Sequence, residues 1–190
     1  MRRARALRWL MAGLMAISIT VGMAGPANGW AVASSRPWNW SYTGTYCYST
    51  SVAAHTSWLT YIAQDVGKWN GLRTTTVYSP VFTAGCNGHN ATDFLFANLG
   101  AGLCGSASNN HVYYNTAKTY GGRNGVVGQC NFDWTTLHEW GHTLGVEHSC
   151  QSGAVMWYAD NGVTNLTTDD KNAIYYWYSN QNPPGKTLPC

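Results

Sequence analysis

Charged side chains are scarce in this sequence: Asp, Glu, Lys and Arg together make up 10% of its 190 residues. No basic stripe follows the first eight residues, so nothing could neutralise a run of phosphates, and neither nucleic acid nor an anionic membrane is expected as a partner. Acids are scarcer still, with six aspartates and two glutamates in all. No aspartate-rich cluster is there to cage calcium, and a structural calcium is not expected. Beyond residue 23 no apolar run has the length a bilayer demands, so no membrane span is expected. A Cys-x-x-Cys pair is missing too, which argues against cysteine as a zinc ligand. Without repeats or low-complexity linkers, a single domain and a monomer are expected.

What is present begins with an export signal. Arg2, Arg3, Arg5 and Arg8 precede the apolar run Trp9 to Met23, the order of a secretory signal peptide. Ala31-Val32-Ala33 and Ala27-Asn28-Gly29 both fit the small-residue cleavage rule, which places the cut between 29 and 33. The mature chain, 34–190, is expected to be secreted and extracellular. Four of the eleven basic residues leave with the leader, so seven face eight acids and the net charge becomes −1. All six cysteines (Cys47, Cys86, Cys104, Cys130, Cys150 and Cys190) lie in the mature part, and an even number in an exported chain reads as three disulfides. Fifteen pairings are open; the glycine-rich surroundings favour Cys86 with Cys104.

Periodicity supplies a coarse map. Positions 58, 59, 62, 66 and 69 form a helical stripe, which predicts one long helix from Val52 to Trp69, ended by Gly71. Thr74 to Ser79, Asp93 to Phe96 and His111 to Asn115 read as strands. Asn131 or Asp133 can cap a helix that Gly145 closes. Thr167-Thr168-Asp169-Asp170 resembles a capping box, opening a last helix to about Asn180. Trp and Tyr are frequent, with 10 and 12 residues. An aromatic sugar-binding platform is one reading of them, but completion of the core is the favoured one.

Residues 138–148 read His-Glu-Trp-Gly-His-Thr-Leu-Gly-Val-Glu-His. On a helix, His138 and His142 project from one face and can grip one ion together, while Glu139 is placed to reach a water beside it. Gly145 can take a left-handed backbone and turn the chain so that His148 arrives as a third ligand. Three neutral imidazoles leave one tetrahedral position of zinc open, the mark of a catalytic rather than a closed structural site. Glu147 is expected to be solvated or capping.

This HExxHxxGxxH string resembles the signature of the metzincin zinc endopeptidases, and its surroundings are most similar to the matrixin branch. Gly141 and Ser149 match the matrixin wording, Ser152 to Met156 resembles the Met-turn, and Leu166 to Asp170 with Ile174 and Tyr178 resembles the opening of the last matrixin helix. The resemblance implies an α+β fold: a twisted five-stranded, mostly parallel sheet with one antiparallel edge strand, a backing helix, a zinc helix, and a small C-terminal subdomain with the Met-turn and final helix. It further implies that Met156 underlies the zinc ligands, that Asp169 and Asp170 anchor the Met-turn, and that substrate adds as a strand to an edge near Gly102 to Ser106. Three departures stand out. His89, Asp93 and His111 are at most remnants of a structural zinc site, so one catalytic ion is expected. No latency segment is expected between the leader and Trp38, so any latency would come from a separate protein inhibitor. Tyr158 stands where other metzincin branches carry a tyrosine that can approach zinc, and it is a candidate oxyanion helper.

The expected reaction is hydrolysis of peptide bonds in proteins by a zinc-activated water, with Glu139 as general base. Two other readings stay open: a zinc amidase acting on cell-wall peptide, and a non-hydrolytic secreted glycan-binding domain with a structural zinc. The intact Glu139 argues against the latter. The wall of the pocket, Met156 to Val163, carries only Asp160 as a charge, which suggests an apolar preference.

Overall fold

The computed structural model describes residues 38–39, 42–86, 91–108, 110–121 and 128–179. The expected leader, His89, the C-terminal tail and Cys190 lie outside them. Five strands form the main sheet in the order β2-β1-β3-β5-β4: β1 Thr43–Tyr48, β2 Val81–Ala84, β3 Ala91–Ala97, β4 Gly105–Ser108 and β5 His111–Asn115. The first four in space run parallel, and β4 closes one edge antiparallel to β5, pairing Gly105 with Tyr114 and Ser108 with His111. A separate two-residue pair, β6 Tyr120–Gly121 and β7 Cys130–Asn131, leads into the central helix. This five-stranded, mostly parallel architecture with one antiparallel edge is the one that the metzincin resemblance implies.

Two helical stretches precede β2: α1 Thr50–Ala53 and α2 Thr56–Asn70. The single helix expected from Val52 is thus broken at Ala54 and His55. Ser49 caps the first turn by accepting from the Val52 N–H, and His55 takes a non-helical backbone (φ −97°, ψ 74°) while its ring stacks on Trp58 at 4.4 Å. The stripe itself begins only at Trp58, and its members Ile62, Val66 and Trp69 are buried.

The strand expected at Thr74 to Ser79 is instead a turn in which the Thr74 hydroxyl accepts from the Thr76 and Val77 N–H groups. These local bonds compete with sheet pairing, and only Val77 makes a bridge, to Ser179. β1, by contrast, lies in the middle of the sheet with no strong sequence signal. Its Gly44 is required because a Cβ there would sit 2.5 Å from the Tyr42 ring and 2.9 Å from that of Phe82. The edge strand starts at Gly105, later than the expected Gly102, because buried Asn115 holds the preceding loop open. Its side chain donates to the carbonyls of Gly100 and Leu103 at 2.5 and 2.7 Å and accepts from the Leu99 N–H at 3.1 Å.

The third helix, α3 Phe132–Thr143, is buried along almost its whole length between the sheet and α2. The Trp69 indole N–H donates to the Leu137 carbonyl at 3.1 Å, and Trp140 stacks on Phe94 at 5.4 Å and meets Phe82 edge-on at 5.1 Å. Most of the aromatic residues therefore complete the core, which keeps the zinc helix rigid against the sheet. The last helix, α4 Thr168–Tyr178, opens with the expected capping box between Thr167 and Asp170.

Two disulfides differ from the favoured pairing: Cys47 joins Cys86, and Cys104 joins Cys130. Cys47 on β1 and Cys86 just after β2 sit on neighbouring parallel strands with Cα atoms 5.1 Å apart, whereas Cys104 lies against the start of α3. Cys150 is also disulfide-bonded. Among the described residues no helix is long and apolar enough to cross a membrane.

Candidate metal centre

Asn131 positions the helix that carries the motif. Its side chain accepts from the Trp134 N–H at 3.0 Å, while its own N–H donates to Asp160 at 2.7 Å, tying the helix start to the opposite wall. One residue after His142 the helix stops: Leu144 is the cap and Gly145 takes φ 84°, a left-handed conformation that sends the chain to His148. The nitrogens of His138, His142 and His148 then lie within 4.8 Å of one another.

The tautomers follow from carbonyls that can only accept. His138 Nδ1 donates to Val155 at 2.9 Å and His142 Nδ1 donates to Val146 at 2.7 Å. Both Nε2 atoms are therefore unprotonated in the neutral rings, yet they face each other at 3.1 Å. Two lone pairs so close repel unless a cation lies between them, so the donor set fits a zinc ion. Burial also keeps these rings neutral. It pushes His138 down from 6.5 to about 3 and His142 down to about 4, helped in each case by a neighbouring histidine.

Glu139 shares the helix with these rings and is 6% exposed. Burial pushes its carboxyl up from 4.5 to about 8. Gly105 on the edge strand meets it so closely that a Cβ there would lie 2.9 Å from Oε1. His138, Glu139, His142 and His148 line a cleft of about 500 Å³ whose other walls include Gly105 to Ser108, Trp134 and Tyr158.

Met156 lies directly beneath the helix. A Cβ at Gly141 would be 2.4 Å from its sulfur, so glycine is what allows the two to approach. The turn is held by Asp170, whose carboxylate accepts from the N–H groups of Val155 and Met156 at 3.1 and 3.0 Å and from Thr167. The hydroxyl of Ser149 donates to Asp169 at 2.5 Å. Tyr158 is 65% exposed beside the cleft, its ring against Trp157 at 4.5 Å. Glu147 is exposed at the cleft rim. Asp93 and His111 stand opposite each other on β3 and β5, 3.8 Å apart at the surface.

Trp134 carries no expectation from the sequence, although it precedes His138 by one turn, packs against it at 4.5 Å, and was within reach of helical periodicity. Of the other cleft residues, Leu103, Gly105 and Ser106 fall within the edge expected at Gly102 to Ser106, whereas Ala107 and Ser108 lie just beyond it.

A mostly parallel sheet, a buried helix and a trio of converging imidazoles over a methionine turn define a metzincin-type domain. Comparison with known sequences specifies it further. The family model described as Matrixin matches residues 85–179, half of the chain, and the chain belongs to the matrixin family. It is similar to the Xenopus laevis protein named matrix metalloproteinase-18, 35% identical over 80 residues, covering 32% of this chain and 17% of that protein. Two ascovirus proteins, each named "Putative matrix metalloproteinase", are also similar. The one from Heliothis virescens ascovirus 3e is 38% identical over 65 residues, covering 31% of this chain and 14% of its own. The other, from Spodoptera frugiperda ascovirus 1a, is 44% identical over 54 residues, covering 25% and 14%. This chain thus spans only 14 to 17% of the length of these curated relatives.

Proposed function

We propose that the chain is a secreted zinc endopeptidase that hydrolyses peptide bonds of protein substrates. The observation that carries this reading is the pair of unprotonated imidazole nitrogens facing each other 3.1 Å apart, with His148 beside them and Glu139 buried on the same helix. His138, His142 and His148 would hold one zinc ion. When bound, zinc supplies Lewis acidity to the scissile carbonyl and lowers the pKa of water.

The chain's own residues do the rest. Glu139 takes a proton from the attacking water at its carboxylate and delivers it to the leaving amine. Substrate would lie along β4 as an added strand, its backbone satisfied by the exposed edge. Tyr158, on the opposite wall, would donate its hydroxyl to the developing oxyanion.

Casein cleavage tests the reading. The purified mature protein is expected to cleave, to stop when a zinc chelator is added, and to recover with zinc. Glu139→Ala is expected to lower the rate by about 10² to 10⁴ with its zinc content unchanged. Equal activity in every sample, or none in any, would sink the protease reading. Peptidoglycan cleaved in place of casein would instead support the amidase alternative.

A further inference from the structure

A second site is suggested by the topology of the sheet. The chain leaves β1 to form β2 on one side and later places β3 on the other, so the switch point lies between β1 and β3. In open parallel sheets, ligands occupy the space outside the carboxyl ends of the strands at such a point. Here that space is a cavity of about 490 Å³ that shares no lining residue with the cleft of the three histidines. Ser51 and His55 reach it from the end of β1, Phe96 from the end of β3, and Thr116 to Tyr120 from the chain after β5.

Its floor and its rim differ in chemistry. Trp58 is the apolar centre of the floor, its ring stacked under that of His55 at 4.4 Å and flanked by those of Phe96 and Tyr120, each 5.6 Å away. Phe132, at the first turn of the zinc helix, supports Trp58 from beneath at 4.2 Å. The floor is therefore rigid and preformed, which lowers the entropy a ligand must lose. At the rim stands Lys118, half-buried and without an ion pair among the described residues. Among the described residues no carboxylate lines the cavity, while hydroxyls of Ser51, Thr116 and Thr119 and the exposed imidazole of His55 do. A lysine at the rim of an aromatic recess, with hydroxyls and an imidazole as its polar neighbours, is complementary to an anion.

We propose that this cavity is a second binding site, for a ligand in which a carboxylate is attached to an aromatic or bulky apolar group. The ring rests against His55 and Phe96, and the carboxylate meets Lys118 and the neighbouring hydroxyls. A peptide ending in an aromatic residue and a free aromatic acid share this chemistry. The site does not depend on the proposed peptidase activity.

The test uses the zinc-loaded mature protein with its cleft saturated by a small hydroxamate, so that no carboxylate can bind at the metal. 3-Phenylpropionate and N-acetyl-Ala-Phe are titrated alongside their amides, while the indole N–H resonance of Trp58 is followed by NMR. At least one acid is expected to shift that resonance saturably, its amide to bind about tenfold more weakly, and Lys118→Gln to erase the difference. Lys118→Arg is expected to retain it. Which acid binds identifies the source, free acid or peptide terminus. The proposal is overturned if neither acid saturates by about 10 mM, if acid and amide bind equally, or if Lys118→Gln, with unchanged melting temperature, binds the acid as wild type does.

Discussion

A methyl group added at Gly105 would lie 2.8 Å from Cγ of Glu139 and 2.8 Å from Cγ2 of Thr135. Thr135 belongs to the buried face of the helix, so the more exposed Glu139 must give way. Gly105→Ala is therefore expected to lower kcat about tenfold or more with little change in KM, zinc content staying at the wild-type level. Gly141→Ala acts differently. Its Cβ would meet Met156 and Trp69, both fully buried, and the expected outcome is a loss of about 1–3 kcal/mol in denaturant unfolding.

Titration at the same residues sets a pH profile. In the metal-free protein His138 and His142 lie below their unfolded value of 6.5, so the stability they contribute is present above 6.5 and lost as pH falls toward 4 and 3. Glu139 has the opposite sign: raised from 4.5 to about 8, it contributes stability that is lost as pH rises through that window. Two histidines against one carboxyl put the expected stability maximum of chelated protein near pH 6.5, falling on both sides. Zinc favours the carboxylate, so loading it is expected to flatten the alkaline slope. Thermal melts from pH 4 to 9, with and without chelator, check both statements; an alkaline slope unchanged by zinc would refute the second.

At the level of elements, the Met-turn depends on one carboxylate. Asp170 accepts from Val155, Met156 and Thr167 and at the same time completes the capping box of α4. Asp170→Asn is expected to cost about 2–4 kcal/mol, several charge-assisted bonds being weakened together, and to release zinc more readily in chelator competition. How far such elements could be read in advance depended on where their signals lay. The zinc helix, its Asn131 cap, Gly145 and the Thr167 box were all visible because caps and left-handed turns are dictated by residues next to each other. β5 was visible for a similar reason, with three consecutive β-branched or aromatic residues, Val112, Tyr113 and Tyr114, bounded by Asn.

Elements fixed by distant partners were not legible. β1 contains a glycine that a strand reading discounts, yet Gly44 is there because Tyr42 and Phe82 leave no room for a side chain. The turn at Thr74 comes from a hydroxyl bonding locally, and at the break His55 stacks its ring on Trp58, neither of which a hydrophobic stripe reports. The edge strand was expected three residues early because nothing near Gly102 announces that Asn115, far along the chain, will hold that loop. Likewise the convergence of the imidazoles was implied by spacing, whereas the carbonyls of Val146 and Val155 that fix their tautomers were not.

Across the whole molecule, most of the aromatic residues are spent on one continuous core that runs from Trp38 to Tyr178 and grips the zinc helix on several sides. Zinc would add to an already packed structure rather than create one. Chelation is accordingly expected to lower the melting temperature while leaving far-UV circular dichroism at 25 °C native, unlike a small zinc finger, which unfolds without its metal.

The Cys104–Cys130 bridge joins the strand that would receive substrate to the residue before the cap of the zinc helix. By loop length alone such a crosslink contributes about 3–4 kcal/mol. Its larger consequence is one of timing. Until it forms, the edge strand and the helix that bears the histidines are held to each other by non-covalent contacts alone, so reduction is expected to loosen the cleft and lower its activity while the core stays folded. Oxidation would then be the step that brings the cleft to its working shape.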